Sequence, residues 1–404
     1  MIDNKIVALG YYYIPILNII RSCAAEGNVV YAAYSTDNLE QFKIIESSKY
    51  VEDCVRLNRH SDQSALTSLL NLGKSIGNSA ILYPSDDYSV AFIDKYYDQL
   101  SECFVLMVPN KYKTGDLTTA MDKHMQNALA ESLGLNVPNE VLIDISDDID
   151  IPDNINFPCY VKPLSSLEGK KKSQKKCCDR DALLQHLCKQ KSISNARKFL
   201  IQDFLNMEKE LILIGVRTDV SVSIVAVVDK LEYSIFHSGM SFLFRMLPMS
   251  NCPDLAEIED KLVELIKKIE FIGSFDLELN ISDNRIYFNE LNIRPSGVEY
   301  ALTKSGINLP MYIVNSYMCE EPIAVPSLEE PTQLFVNEKI AFLDLFHKKR
   351  SYKEIKNIVS RADYGLVKDD SDPMPYVYFK KYVRAEYKKK YKKKITKLFS
   401  KLHK

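Results

Sequence analysis

No apolar run in the 404-residue sequence approaches the length of a bilayer span, which argues against a helical membrane protein. CxxC is absent among the nine cysteines, and an odd count with no metal-ligand spacing argues against a zinc site or a disulfide framework. It fits a reducing cytoplasm, with the cysteines as small core residues. The first strand–helix–strand pattern lacks GxGxxG, so a dinucleotide is not indicated. No internal repeat is found, and low complexity is confined to the tail. The opening stretch MIDNKIVALGYYYIPILNII has no cleavage-site pattern and reads as a strand followed by a helix rather than a signal peptide.

What is present fits a soluble globular chain of two or three domains with ample core. Net charge is −2, but the charge is unevenly placed. From Lys380 to Lys404 twelve Lys/Arg face one Glu, which leaves forty basic against fifty-three acidic residues in the body. A basic tail on an acidic body points to an anionic partner for the tail.

Alternation and turn residues mark the elements. KIVALG (5–10) reads as a buried strand, followed by a helix to about Ala25 and a strand at 28–35. A helix over 64–77 and a strand over 79–88, ending in Pro84-Ser85-Asp86-Asp87, complete a small open α/β domain. Residues 118–139 read as one helix stopping at Gly134, then a Pro-led strand. FPCYVKPL (157–164) is a strand, LEGKKKSQKK (167–176) a lysine-rich loop, 180–190 a helix and KFLIQDFL (198–205) a strand. Segments 210–217, 221–228 and 231–237 read as a meander, and 253–271 as a strongly amphipathic helix. GSFDLELNI (273–281) and RIYFNELNI (285–293) read as a hairpin around Ser282-Asp283-Asn284.

The hairpin is the first candidate for chemistry. Side chains alternate along a strand, so Asp276, Glu278 and Asn280 share one face, as do Glu290, Asn292 and Arg294. Oxygen ligands of this kind suit Mg²⁺, which takes one or two carboxylates plus substrate phosphates. A solvated sheet face with cross-strand pairs gives the same pattern. Lys162 lies inside an apolar strand, so it is either at an edge or has an anionic partner. Lys123, by itself, reads as a solvated helix lysine. Gln202, Asp203, Phe204 and Leu205 run into a polar turn with Glu208 and Glu210, a weak candidate for holding a base and a ribose. Arg245 in FLFRMLP is a candidate for phosphates or a substrate carboxylate, with Arg217 a weaker one. His237 in FHSGMSFLFR is the one histidine considered near substrate, with a packed histidine the leading reading. Asp86 and Asp87 read either as an amine site or as a helix cap.

Taken in order, helix lysine, strand lysine, lysine-rich loop, QDFL strand and D…E-x-N-x-R resemble an ATP-grasp enzyme over roughly residues 1–330. YFNELNIRPSG (287–297) and the following ALTKSGINLP are the most specific parts. The resemblance implies an α/β and α+β fold with these parts: an N-terminal open α/β domain (1–115), a two-lobed ATP-grasp domain (116–330, its B lobe about 155–205), a C-terminal extension (331–379) and a basic amphipathic helix (380–404). It implies that Lys123 and Lys162 hold ATP phosphates and that the 164–173 loop, with Lys170, covers them. That loop departs from the family pattern, because Gly169 is its only glycine. Gln202, Asp203, Phe204 and Leu205 would match the adenine linker, and Glu210, or its rival Glu208, the ribose carboxylate. Asp276, Glu290 and Asn292 would match ligands to two Mg²⁺ ions, and Arg294 the basic residue near the transferred phosphate.

The implied reaction is ATP-dependent ligation of a carboxylate to an amine through an acyl phosphate. A looser likeness, in length, in YPSDDY and in the basic Tyr-rich end, is to D-aspartate ligase-like and capsule- or cell-wall-associated ATP-grasp proteins. It suggests an amino acid joined to an envelope precursor, in the cytoplasm or at the inner membrane face. In the tail, Val383, Tyr387, Tyr391, Ile395, Leu398 and Leu402 form a helical stripe among lysines. The stripe fits docking on an anionic membrane or packing on the body. Nucleic acid is disfavoured by the acidic body.

Overall fold

KIVALG does form the central strand of a parallel sheet. In the computed structural model, which describes residues 5–77, 79–165, 167–168, 173–236, 239–319 and 323–402, with side chains to residue 389, three sheets organise the chain. The first is built from β1 (Lys5–Gly10), β2 (Val29–Ser35), β3 (Val51–Leu57), β4 (Ala80–Pro84) and β5 (Phe104–Val105), all parallel in the order β3-β2-β1-β4-β5. Helices α1 (Tyr13–Ala24), α2 (Leu39–Glu46), α3 (Asp62–Ile76), α4 (Asp87–Lys95) and α5 (Tyr97–Ser101) connect them. Both faces of β1 are buried, as expected for a central parallel strand. Strand order reverses between β1 and β4, so a crevice opens at their carboxyl ends.

The 118–139 segment is two helices, not one: α6 (Asp116–Ala120) and α7 (Lys123–Ser132). The break falls where Asp122 caps α7, its side chain accepting from the Met125 amide. Lys123 therefore stands at the first turn of a helix.

A small antiparallel sheet follows, in the order β6-β9-β7-β8. It comprises β6 (Glu140–Asp144), β7 (Cys159–Pro163), β8 (Lys175–Cys177) and β9 (Lys198–Asp203), backed by α8 (Arg180–Ile193). The lysine-rich segment expected to be all loop thus ends in a short strand, because Lys175–Cys177 pair with Val161–Cys159. Val161, Phe199 and Ile201 face the apolar cluster under α8, which turns Lys162, Leu200 and Gln202 to the opposite face.

The largest sheet has seven strands, in the order β14-β13-β10-β11-β12-β15-β16. Its main strands are β10 (Lys209–Arg217), β11 (Val222–Tyr233), β12 (Ser241–Leu247), β13 (Gly273–Ser282) and β14 (Arg285–Asn292), with α9 (Glu259–Lys268) between β12 and β13. The expected third meander strand at 231–237 is instead the end of β11. No turn residue interrupts Val228–Leu231, and the chain reverses only before Ser241, at Gly239 with φ +83°.

After α10 (Tyr300–Lys304) and α11 (Leu309–Met318), the C-terminal segment adds two short strands to this sheet. They are β15 (Phe335–Val336) and β16 (Tyr364–Gly365), with α12 (Glu338–Phe346) and α13 (Tyr352–Val359) between them. The chain ends in α14 (Met374–Leu402), which lies against α2.

Candidate functional site

The β13/β14 hairpin brings the expected side chains together. Asp276 pairs with Asn292 across the ladder, and Glu278 with Glu290, so both strands present their polar residues on one face. Leu277, Leu279, Phe288 and Leu291 fill the core on the other. Asn292 Nδ2 donates to Asp276 Oδ1 at 2.6 Å and to Glu290 Oε1 at 3.5 Å. Arg294, just past the strand, donates to the second oxygen of Asp276 and, through Nε, to Asp87 Oδ1 at 3.2 Å. Asp87 is the first residue of α4, so the N-terminal sheet contributes to the site at its switch-point crevice. Asp86 behind it serves as the helix cap: it accepts from the Ser89, Tyr11 and Tyr12 amides.

Two lysines close on this face from other elements. Lys123 Nζ lies 2.6 Å from Glu290 Oε2, both largely buried. Lys162, projecting from the small sheet, reaches Asn289 Oδ1 at 3.4 Å, and Asn289 Nδ2 reaches Glu278 Oε2 at 3.2 Å. The lysine in the apolar strand thus has an anionic environment rather than an open edge. Asn289 was not singled out from the sequence. A β-bulge shifts the ladder between Glu278 and Leu279, so Asn289 is the extra residue opposite them, and it joins the polar face out of turn with the strict alternation.

Charge and burial compete here. Burial would raise Glu290, but Lys123 and Lys162 hold it below the usual carboxylate range. Glu278 is pushed up by burial and by the neighbouring Glu290 and Asp276 carboxylates. Burial lowers Lys162 to about 8, against the pull of Glu290. For Lys123 the attraction of Glu290 outweighs burial and raises it. Burial also opposes the charge on Arg294, but Asp276 and Asp87 outweigh it, so the guanidinium stays charged.

Among the described residues no three His, Cys, Asp or Glu side chains are grouped so as to hold a metal by themselves. The donor set fits an ion that takes one or two carboxylates and completes its shell with phosphate oxygens and water, as Mg²⁺ does. The crowding that raises Glu278 is a local excess of negative charge that such an ion neutralises. Asp276 and Glu290 are now engaged by Arg294 and Lys123, and Asn292 offers its amide nitrogen to Asp276. Ligation by these residues therefore requires those partners to exchange and the Asn292 amide to turn.

The linker region lies at the other end of the small sheet. Gln202 Nε2 donates to Glu140 Oε2 at 2.8 Å, and Asp203 accepts from Asn139 and Asn156. The Asp203 and Phe204 amides are used by Asn139 O and Pro158 O, whereas the Leu205 amide makes no hydrogen bond among the described residues. A cavity of about 440 Å³ opens here, lined by Asn127, Glu140, Gln202 and Asp203 among others. The hairpin carboxylates do not line it. Of the two rival glutamates, Glu208 accepts from the Asp283 amide at the hairpin turn. Glu210 lies on the strand next to β13, opposite Asn280, and pairs with Lys230. Asn280 Oδ1 beside it is buried without a partner.

Two sequence candidates are not brought to the cluster. Arg245 pairs across the ladder with Asp229 at 2.9 Å, on the same side as Val227, which faces the core opposite the carboxylates. The two-residue strand period decides this. Arg217 is bound to the Phe271 and Lys267 carbonyls. Lys170 and His237 lie outside the described residues.

Residues 128–302 match the family model of the ATP-grasp domain. Among curated relatives, the carbamoyl phosphate synthase large chain of Pseudothermotoga lettingae is 28% identical over 187 residues, 46% of this chain and 16% of that protein. The formate-dependent phosphoribosylglycinamide formyltransferase of a Sulfurovum species is 21% identical over 57% of this chain and 63% of its own length. The chain thus spans less than two thirds of either. Among solved structures, L-amino acid ligase from Bacillus licheniformis superposes with a TM-score of 0.60 at 16% identity, covering 79% of this chain and 75% of that one. N5-carboxyaminoimidazole synthetase from Staphylococcus aureus does so with 0.60 at 17% identity, covering 87% and 86%. The biotin carboxylase domain of Hydrogenobacter thermophilus 2-oxoglutarate carboxylase, solved with MgADP, gives 0.62 at 13% identity, covering 81% and 73%. The fold is therefore that of the ATP-grasp proteins: an ATP-grasp domain matched over residues 128–302, behind an N-terminal parallel α/β sheet.

Proposed function

We propose that the protein is an ADP-forming ATP-dependent ligase that joins a carboxylate to an amine. One observation carries the reading: Lys123, Lys162, Asp276, Glu278, Glu290, Asn292 and Arg294, from four separate elements, converge in one buried polar cluster between two sheets. A fold needs no such concentration of buried charge for stability, since buried ion pairs seldom improve on apolar packing.

In this reading the ATP phosphates lie against Lys123 and Lys162, and adenine meets the free Leu205 amide beside Gln202, Asp203 and Phe204. The ribose meets Glu210. The substrate carboxylate attacks the γ-phosphate, ADP leaves, and an acyl phosphate forms. The amine then attacks the acyl carbon and phosphate departs. Mg²⁺, held by Asp276, Glu290 and Asn292, would supply charge neutralisation for the transferring phosphoryl group. Arg294 faces the developing oxyanion. Water has to be excluded or the acyl phosphate hydrolyses. The Tyr88 hydroxyl, which donates to Leu167 O at 3.3 Å, ties the start of the 164–173 loop to the N-terminal sheet.

Cell-envelope precursors remain the proposed class of acceptor, with D-aspartate ligase-like proteins as the likeness behind it. Support comes from α14. Its Tyr382 packs on Tyr13, at the start of α1, with ring centroids 6.0 Å apart, so the helix that carries the basic residues is anchored to the N-terminal domain. No helix among the described residues is long and apolar enough to cross a membrane. A cytoplasmic protein held at the inner leaflet by the tail fits both. Free amino acids or small metabolites are the alternative acceptors, and a non-catalytic ATP-binding module the alternative role.

ADP release from MgATP should be measured with a panel of amino acids, each with and without uronate or peptide acceptors. Release that depends on one amino acid supports the ligase and names half of the substrate pair. ATP binding with no release from any member favours the binding module.

A further inference from the structure

Lys339, in the first turn of α12, is a cation that the ATP chemistry does not use. Among the described residues it has no carboxylate partner. Its ammonium stands over the rings of Tyr13 and Tyr12, 5.3 and 6.0 Å from their centroids. Burial lowers its pKa below the ordinary lysine value, and no neighbouring charge offsets this. Among the described residues only the ring faces compensate this partly desolvated ammonium, and they do so weakly.

The position gives this cation a context. Tyr12 is 42% exposed, unlike the buried Tyr13. Its ring and that of Tyr11 pack against Tyr88, with centroids 6.2 and 5.5 Å away. Tyr88 follows Asp87, which holds Arg294. From Lys339 the contacts therefore run through Tyr12 and Tyr88 to the reacting end of the cluster. They cross the crevice at the carboxyl ends of β1 and β4, where open α/β sheets bind ligands. The half-exposed Tyr12 ring beside this weakly compensated cation, with the Tyr88 ring packed against it, suits a molecule with a ring or apolar body and an anionic head.

We propose that Lys339, Tyr12 and Tyr88 form the recognition site for a negatively charged head group, carboxylate or phosphate, on the co-substrate of the ligation. Its role as a co-substrate site rests on the ligase reading; binding of the anion does not. Lys339 supplies the counter-charge, and Tyr12 and Tyr88 the surface for the body of the molecule. The C-terminal segment thereby takes part in substrate choice.

The chain contains no tryptophan, so Tyr12→Trp places a single indole reporter in the site. This variant should be titrated with aspartate, glutamate, glucuronate and inorganic phosphate, and with asparagine, glutamine and glucose as uncharged counterparts. At least one anion is expected to give a saturable fluorescence change that its neutral counterpart does not. Adding Lys339→Met should weaken that binding at least about tenfold, and Lys339→Arg should restore most of it. Circular dichroism and thermal melting establish that the variants are folded. No saturation by any anion, or equal binding in the Met variant, overturns the proposal. Anion binding that depends on Lys339, in a protein that calorimetry shows not to bind ATP, would sink the ligase reading and leave this site standing. The reverse result would sink only this site.

Discussion

Glu290 is the residue on which the charges of the site meet: Lys123 at 2.6 Å, Asn292 at 3.5 Å and Glu278 directly across the ladder. Glu290→Gln keeps the shape and removes the charge, so ATP turnover should fall by at least about 100-fold, as for loss of a metal ligand. Turnover at the wild-type level in a variant with an unchanged circular dichroism spectrum would end the metal assignment. Lys162 carries the pH prediction. A lysine holds phosphate only when protonated, and burial has brought Lys162 down to about 8 in the unbound protein. Its charge is therefore present below pH 8 and lost as pH rises through that value. Apparent affinity for ATP, read from kcat/KM, should decline above about pH 8. Lys162→Arg should flatten that decline; an unchanged profile in the Arg variant would show that another group titrates.

At the scale of elements, position matters more than identity. Lys123 is at the site because Asp122 caps α7, whose first turn meets β14 through Glu290. Gln126, one turn on, exchanges hydrogen bonds with the Leu291 backbone, so α7 covers the open edge of the sheet. The last helix has two parts. Its first turns are structural: Phe379 packs on Tyr13, Tyr382 on Tyr13 and Gln41, and Tyr387 on Phe346. Removal of everything after Pro375 would therefore damage the core as well as the basic tail. Truncation after Lys389 is the cleaner test of membrane docking. It should weaken sedimentation with anionic liposomes, because seven of the twelve basic residues of the tail go with it, and leave thermal stability within about 0.5 kcal/mol. Undiminished liposome binding would assign the tail another partner.

At the scale of the molecule, the N-terminal sheet is locked to the C-terminal segment by a fully buried ion pair. Arg21 on α1 donates through Nε to Asp372 Oδ2 at 3.0 Å and also to the Leu366, Val367 and Asp372 carbonyls. Asp372 also accepts from Ser48 Oγ and the Lys49 amide. Both side chains are 1% exposed. Breaking such a pair from one side leaves a buried charge, so Arg21→Met should cost about 3–5 kcal/mol in a denaturant melt. A loss under about 1 kcal/mol would show that this contact does not hold the two ends together. Glu338, next to Lys339 in α12, accepts from the Val367 and Lys368 amides of the same segment, which ties α12 to this contact.

Elements whose signal is local were legible in the sequence. The buried strand KIVALG, the hairpin with its turn at Asp283-Asn284, and the shared face of Glu290 and Asn292 all follow from side-chain alternation and turn chemistry, which act over a few residues. Lys162 was legible for the same reason, as a charge inside an apolar strand. The rest depended on packing between distant parts of the chain. Asn289 enters the site through a bulge, which breaks the alternation. Asp87 and Arg294 lie 207 positions apart and meet because two sheets pack edge to mouth. Arg245 has the right charge in the right neighbourhood, yet lies on the wrong face, since one residue of register turns a side chain to the other side of a sheet. Lys339 gave no signal at all, because its meaning lies in being desolvated over two tyrosines more than 300 residues away, and desolvation is a property of packing.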